Sequence, residues 1–226
     1  SNNYNDKGDS MSTTKRIAIL GTGMVGKALS QGLTKHGFEI VMGTRNPNKA
    51  ELLEWKQENL PSLEIQTFEE AAASADLIML AINWSGVDDV TQSISAVTTN
   101  KTVVDMTNPL DFASGAPQLA IGFNDSAGET VQRKLSNANV VKALNTVTAT
   151  SMVDPNCEEG TPDMVIAGNN ENSKKQVTEL LENIGWRVID AGDIAKSRYI
   201  EPLAMLWIDY AIKTGESRHM FSLLRK

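Results

Sequence analysis

Residues 16–49 read RIAILGTGMVGKALSQGLTKHGFEIVMGTRNPNK. Arg16–Leu20 is a short apolar run ending at a glycine, as a buried parallel strand does. Past the glycine-rich turn, Val25, Ala28, Leu29 and Leu33 recur at helical spacing, and Gly37 stands where such a helix closes. Phe38–Gly43 follows as a second strand. A GxGxxG loop in that setting has a physical reason for each glycine. Gly21 permits the tight turn, Gly23 keeps a Cβ out of the way of a pyrophosphate, and Gly26 lets the helix lie close to the first strand. The helix N-terminus then offers free N–H groups and partial positive charge to phosphates. The stretch reads as a dinucleotide site.

The tip of the second strand selects the cofactor. An NAD site usually places an acid there to grip the ribose hydroxyls, and an NADP site places a cation. Here the tip is Gly43-Thr44-Arg45-Asn46-Pro47-Asn48-Lys49, and Glu39 lies too early to serve. Thr44 offers a hydroxyl, and Arg45 a planar charged fork suited to phosphate. Asn46-Pro47-Asn48 reads as the start of a helix reaching about Gln57, which puts a second cation, Lys49, about one turn past Arg45. The competing reading is two solvated surface cations.

Strand and helix patterns go on alternating along the chain. Leu63–Thr67, Asp76–Ile82, Thr102–Met106, Val140–Leu144, Met164–Ala167 and Trp186–Asp190 read as strands. Phe68–Ser74, Glu129–Leu135 and Asn172–Ile184 read as helices, and Asp88-Asp89 as the acidic first turn of another. Asn108–Ser126, rich in Pro, Gly, Ala and Ser, reads as a long irregular loop. Asp193 can cap a final helical region, which Pro202 should kink and Gly215 interrupt. The sum is an α/β chain: a Rossmann-type, doubly wound, mainly parallel sheet with a small C-terminal α/β extension ending in helices. The expected partition is an NADP-binding domain over 15–150 and a smaller part over 151–226 packed on it. Residues 1–14 are polar, aperiodic and without an apolar signal core, and are expected to be a disordered tail, with Met11 as the natural start.

Composition bounds the function. The 226 residues carry a net charge of −7, which argues against nucleic acid or an anionic membrane as the main partner. No apolar run has the length of a membrane span, and Cys157 is the single cysteine, which suits a reducing cytoplasm. The two histidines, His36 and His219, read as a helix-end residue and a surface or interface residue. No metal cluster, nucleophile elbow or catalytic triad is visible, so neither a metal nor a catalytic side chain is expected.

The run IAILGTGMVGKALSQGLTKHGFEIVMGTRNPNKA resembles the NADPH-dependent oxidoreductases of the coenzyme F-420 (deazaflavin) type. That family includes the archaeal F-420H2:NADP oxidoreductase and the cytoplasmic reductase domain of the STEAP ferrireductases. Ala81-Ile82-Asn83-Trp84, Val141–Val147 (VKALNTV) and Ser197–Trp207 (SRYIEPLAMLW) carry the resemblance through nearly the whole chain after residue 15. It implies that Thr22, Gly23, Met24 and Val25 line the pyrophosphate, and that Thr44, Arg45 and Lys49 hold the 2′-phosphate. It implies that Ile82, Asn83 and Trp84 flank the ribose and nicotinamide, and that Thr107, Asn108 and Pro109 border the same crevice. Asn145, Val147 and Ala149 would approach the nicotinamide and whatever stacks on it. The archaeal enzyme has a histidine in place of Asn145, where the STEAP type has asparagine, and a proline in place of Asn83. Both departures fall on the acceptor side.

Three functions fit these observations. The first is a reductase passing a hydride between NADP(H) and a flavin or deazaflavin, a small-molecule redox acceptor. The second is a small-substrate dehydrogenase of the β-hydroxyacid or pyrroline-carboxylate reductase type, less favoured because strand patterns continue to Asp190. The third is a non-catalytic NADP(H)-binding redox sensor. The apolar last helix either covers the sheet or makes a homodimer. From Arg45 and Lys49, NADPH is expected to bind much more tightly than NADH; equal affinities in a fluorescence titration would remove the phosphate assignment.

Overall fold

In β1 (Arg16–Leu20), Ile17 and Ile19 face one side of the sheet and Ala18 and Leu20 the other, and all four are fully buried. A strand buried on both faces must lie inside a sheet covered on both sides. The computed structural model, which describes residues 14–226, shows how the chain does this. The elements that follow are α1 (Met24–Lys35), β2 (Glu39–Thr44), α2 (Ala50–Asn59), β3 (Glu64–Thr67), α3 (Phe68–Ser74), β4 (Leu77–Leu80) and α4 (Val87–Ile94). Then come β5 (Thr102–Asp105), β6 (Leu110–Asp111), β7 (Gln118–Leu119), α5 (Ala127–Lys134) and β8 (Asn139–Lys142). The C-terminal elements are β9 (Asp163–Gly168), α6 (Glu171–Asn183), β10 (Arg187–Asp190) and α7 (Ser197–Thr214).

Eight strands form one sheet in the order β10-β9-β8-β5-β4-β1-β2-β3. All neighbours are parallel except β8 and β9, which pair antiparallel with Val141 opposite Gly168 and Lys142 opposite Ala167. The chain starts in the middle and winds outward both ways, so the connections leave a crevice beside β1 and β4 at the C-terminal ends of the strands. This is the doubly wound, mainly parallel Rossmann-type sheet expected. The division expected near residue 150 falls between two neighbouring strands of it. One apolar cluster joins Ile17, Ile19, Leu29, Leu33, Val177 and Leu181, and so packs α1 and α6 on one face. The other joins Leu20, Ala71, Val90, Ile94 and Val131, and so packs α3, α4 and α5 on the opposite face. Caps fix the helix starts: Thr67 and Glu70 form a reciprocal capping box on α3, and Asn170 accepts from the Ser173 N–H on α6.

Several local expectations are corrected. The helix expected at Asn46-Pro47 begins at Ala50 instead. The Asn46 side chain accepts from the Asn48 N–H at 3.1 Å and makes a turn first, a competition short polar side chains often win. The segment read as an irregular loop contains the β6–β7 hairpin, Leu110 opposite Leu119. Pro202 lies inside α7, which runs from Ser197 to Thr214, and Gly215, at φ 71°, ends it as expected. The proline forgoes a single intrahelical bond there. His219 is half-buried and stacked on Trp207 with ring centres 4.4 Å apart. Thr14, assigned to the tail, is buried, and its hydroxyl accepts from Gln176 at 2.7 Å. The rest of the expected tail, with Met11, lies outside the described residues.

Lys142, at the end of β8, is fully buried between two carboxylates. Its ammonium lies 3.0 Å from Asp105 at the end of β5 and 3.1 Å from Glu201 on α7, and it also donates to the Thr107 carbonyl. Glu201 accepts from the Ala127 and Gly128 N–H groups at 2.7 and 3.1 Å, at the positive end of α5. One cation thus joins two strands and two helices. Burial alone would drain the Lys142 charge, but its two carboxylates outweigh it and hold the ammonium above the ordinary lysine value. Burial pushes the Glu201 carboxyl up against the pull of Lys142, and Asp105 adds to the push.

Lys142→Met leaves two buried carboxylates facing each other and should lower the unfolding free energy by about 3–5 kcal/mol in urea, with Glu201→Gln costing clearly less. A folded state that raises the Glu201 value binds that proton more tightly than the unfolded chain. Its stabilisation is therefore full below the ordinary value of 4.5 and declines as pH rises through the folded value. The stability difference between wild type and Glu201→Gln should fall across that rise.

Candidate cofactor and acceptor crevice

The glycine loop is built by two close approaches. Gly21 has φ 135°, its N–H donates to the Gly43 carbonyl at 3.0 Å, and a Cβ on it would sit 2.0 Å from the Ala81 carbonyl oxygen. A Cβ on Gly26 would sit 2.1 Å from the Gly21 carbonyl oxygen, so α1 can pass this close only with glycine there. Beside Gly23 the space is open instead. No side chain caps α1 and no acid lies in its first turn, so its first N–H groups face the crevice without a protein partner.

The crevice has three connected compartments. The central one is lined by Gly21, Thr22 and Gly23, by Thr44 and Arg45 at the tip of β2, and by Ile82, Asn83, Ser85 and Gly86 beyond β4. It shares Arg45 and Phe68 with an outer compartment reaching Asp89, Gln92 and Ser93 on α4. It shares Ile82, Asn83 and Ser85 with a third, lined also by Val25, Trp84, Met106, Thr107, Asn108, Leu110 and Phe112. Cations and acids meet only in the outer compartment, and the third has no charged side chain in its lining.

The structure brings together most of the residues read from the sequence, but not all. Thr44 and Arg45 line the central compartment, and Val25, Trp84 and Asn108 the third. Gly26 is buried under the loop and Met24 is exposed at the helix start. Lys49 is absent from these linings: its ammonium is exposed and 3.9 Å from Glu51, because the turn at Asn46–Asn48 delays the helix that would have carried it back. Pro109 and Ala149 are buried behind the walls.

Asn145 acts one layer back. Leu144, at φ 59°, turns the chain after β8 and delivers Asn145 to Asn108. The Asn145 amide donates to Asn108 Oδ1 at 3.0 Å, and the Asn108 amide donates to the Asn145 carbonyl at 3.0 Å. The same Asn145 amide donates to the Ile200 carbonyl at 3.3 Å, and its Oδ1 is buried without a partner among the described residues. Asp105 accepts from the Thr107 N–H and hydroxyl at 2.9 and 2.7 Å, so the buried Lys142 cluster also shapes this wall. Sequence reasoning missed Phe68, Ser85, Gly86, Asp89, Met106, Leu110 and Phe112. Asp89 was visible only as a helix-start acid, and Phe112 only as part of a loop, because nothing local shows where the β6–β7 hairpin lies.

Comparison with known proteins agrees with this geometry. The family model described as "NADP oxidoreductase coenzyme F420-dependent" matches residues 16–109. The F420-dependent NADP reductase of Methanocaldococcus jannaschii is 31% identical over 209 residues, 88% of this chain and 93% of that protein. The rat metalloreductase STEAP3 is 28% identical over 197 residues, 84% of this chain but 37% of that protein, so the chain spans just over a third of the metalloreductase. A crystal structure of a putative F420-dependent NADP reductase from Arthrobacter sp. FB24 superposes with a TM-score of 0.87 at 35% identity, over 94% of this chain and all of that one. With its loop, its strand tip and its full-length relatives in agreement, the chain belongs to the family of F420-dependent NADP reductases.

Proposed function

We propose that the protein passes a hydride between NADP(H), held across the central compartment, and a flavin-like or deazaflavin (F-420) ring in the third. The observation that carries this is the contrast between adjoining compartments. One has free helix N–H groups and a cation for phosphates, and the next has apolar and aromatic walls without charge. The residues fit the dinucleotide on three counts. A Cβ at Gly21 or Gly26 would close the loop, the first turn of α1 carries no competing acid, and Thr44-Arg45 stands where an NAD site would have a carboxylate.

Thr22 and Gly23 would hold the pyrophosphate with α1, and Thr44 and Arg45 the 2′-phosphate. Ile82, Asn83 and Trp84 would border the ribose and nicotinamide. The nicotinamide, when bound, supplies or accepts the hydride. What the chain adds is orientation and exclusion of water: hydride transfer needs reacting atoms about 3–3.5 Å apart, not a side-chain acid or base. Val25, Met106, Leu110 and Phe112 give the acceptor ring an apolar seat. The Asn108–Asn145 clasp would steady the wall of the third compartment. The rival small-substrate dehydrogenases need a long all-helical second domain, and here β9 and β10 extend the sheet instead.

Arg45→Ala should weaken NADPH by about 10-fold or more, the worth of a charge-assisted bond to phosphate, and leave NADH unchanged. NADPH oxidation assayed against F-420, FMN, FAD and ferric chelates should give turnover with at least one. Silence with all four would favour a sensor that binds without reacting. We also propose self-association through α7, whose Tyr199, Leu206, Tyr210 and Ile212 stand exposed in an apolar series. Sedimentation should give a dimer that Leu206→Glu dissociates, and a monomeric wild type would remove this reading.

A further inference from the structure

We propose that Asp89 limits how strongly this protein prefers NADPH to NADH, by competing with the 2′-phosphate for Arg45. The inference rests on the assignment of Arg45 to that phosphate. Arg45 follows the end of β2, and Asp89 sits in the first turn of α4 across the mouth of the crevice. The Arg45 guanidinium donates to Asp89 Oδ2 at 2.7 Å, and both side chains are about two-thirds exposed, at 67% and 69%. Among the described residues this is the only ion pair either makes. Arg45 lines both the central and the outer compartment, so the pair stands where a ligand in the crevice meets it.

The pairing has no evident duty in the fold. Asp89 makes no side-chain cap bond on α4, and the neighbouring Asp88 already supplies an acid to that helix start while pairing with Lys134 at 2.7 Å. An exposed pair of this kind contributes little stability, so it can open at small cost. A phosphate dianion and a carboxylate on the same fork repel each other, and the fork cannot give its best donors to both. The 2′-phosphate therefore has to displace Asp89 and then tolerate it nearby. NADH, with a hydroxyl there, meets neither difficulty. The result is a site that prefers NADPH less than Arg45 alone would.

The test is a titration of NADPH and NADH at fixed ionic strength against wild type, Asp89→Asn, Arg45→Ala, the double variant, and Asp88→Asn as a control of equal charge change. Asp89→Asn should tighten NADPH about three- to tenfold, the scale of one exposed ion pair and its repulsion, with NADH not tightened. The gain should vanish in the Arg45→Ala background, and Asp88→Asn should change nothing. If Arg45→Ala weakens NADPH but Asp89→Asn does not tighten it, or weakens it by unseating Arg45, the competition is overturned while the phosphate assignment stands. If Asp89→Asn tightens NADPH equally without Arg45, the competition is likewise overturned. If Arg45→Ala leaves NADPH unchanged, the phosphate assignment itself falls.

Discussion

A single buried ammonium holds the two halves of this molecule in register. Lys142 reaches Asp105 on the neighbouring strand and Glu201 on the last helix, and almost no water-accessible surface on the three groups softens a loss. Buried charges are tolerated only when their bonds are complete, and here they are. Glu201 takes two N–H groups from α5, Asp105 takes two donors from Thr107, and the ammonium also bonds the Thr107 carbonyl. The same bonds that dock α7 therefore set the turn after β5, which is a wall of the crevice. Stability and site geometry meet in one cluster.

The crevice sorts its chemistry by place. An uncapped helix N-terminus and Arg45 converge near the ends of β1 and β2. Apolar and aromatic residues gather over β4 and β5, together with the hairpin that follows them. The Asn108–Asn145 clasp stands at that second end, joined to α7 through the Ile200 carbonyl. A hydride carrier needs this arrangement: strong grip on the part of the cofactor that does not react, and dry, uncharged surroundings for the part that does.

The family relationship carries the cofactor further than the acceptor. Arg45 and the glycine loop lie within the region matched by the family model, which ends at residue 109. Leu110 and Phe112, two of the ten residues that line the third compartment, follow just beyond it.

The glycine loop, the strand pattern and the strand-tip arginine were legible in the sequence because each depends on neighbours in the chain. Gly21 and Gly26 are required by contacts within one strand–turn–helix unit and with the adjoining strand end, and alternation in β1 reports burial on both faces. Lys49 was misplaced because a four-residue turn defeated the expected helix start, a contest that propensity alone does not decide. The places of Asp89 and Phe112 in the crevice, and the Lys142–Glu201 pairing, could not be read. Asp89 meets Arg45 from 44 residues away, Lys142 meets Asp105 from 37 and Glu201 from farther still, and Phe112 comes from a hairpin whose position no local pattern encodes. Local sequence thus determined the elements and the glycine loop, through short-range sterics and periodic burial. Only the folded sheet decided which charges meet, because pairing across distant strands and helices depends on where the whole chain packs.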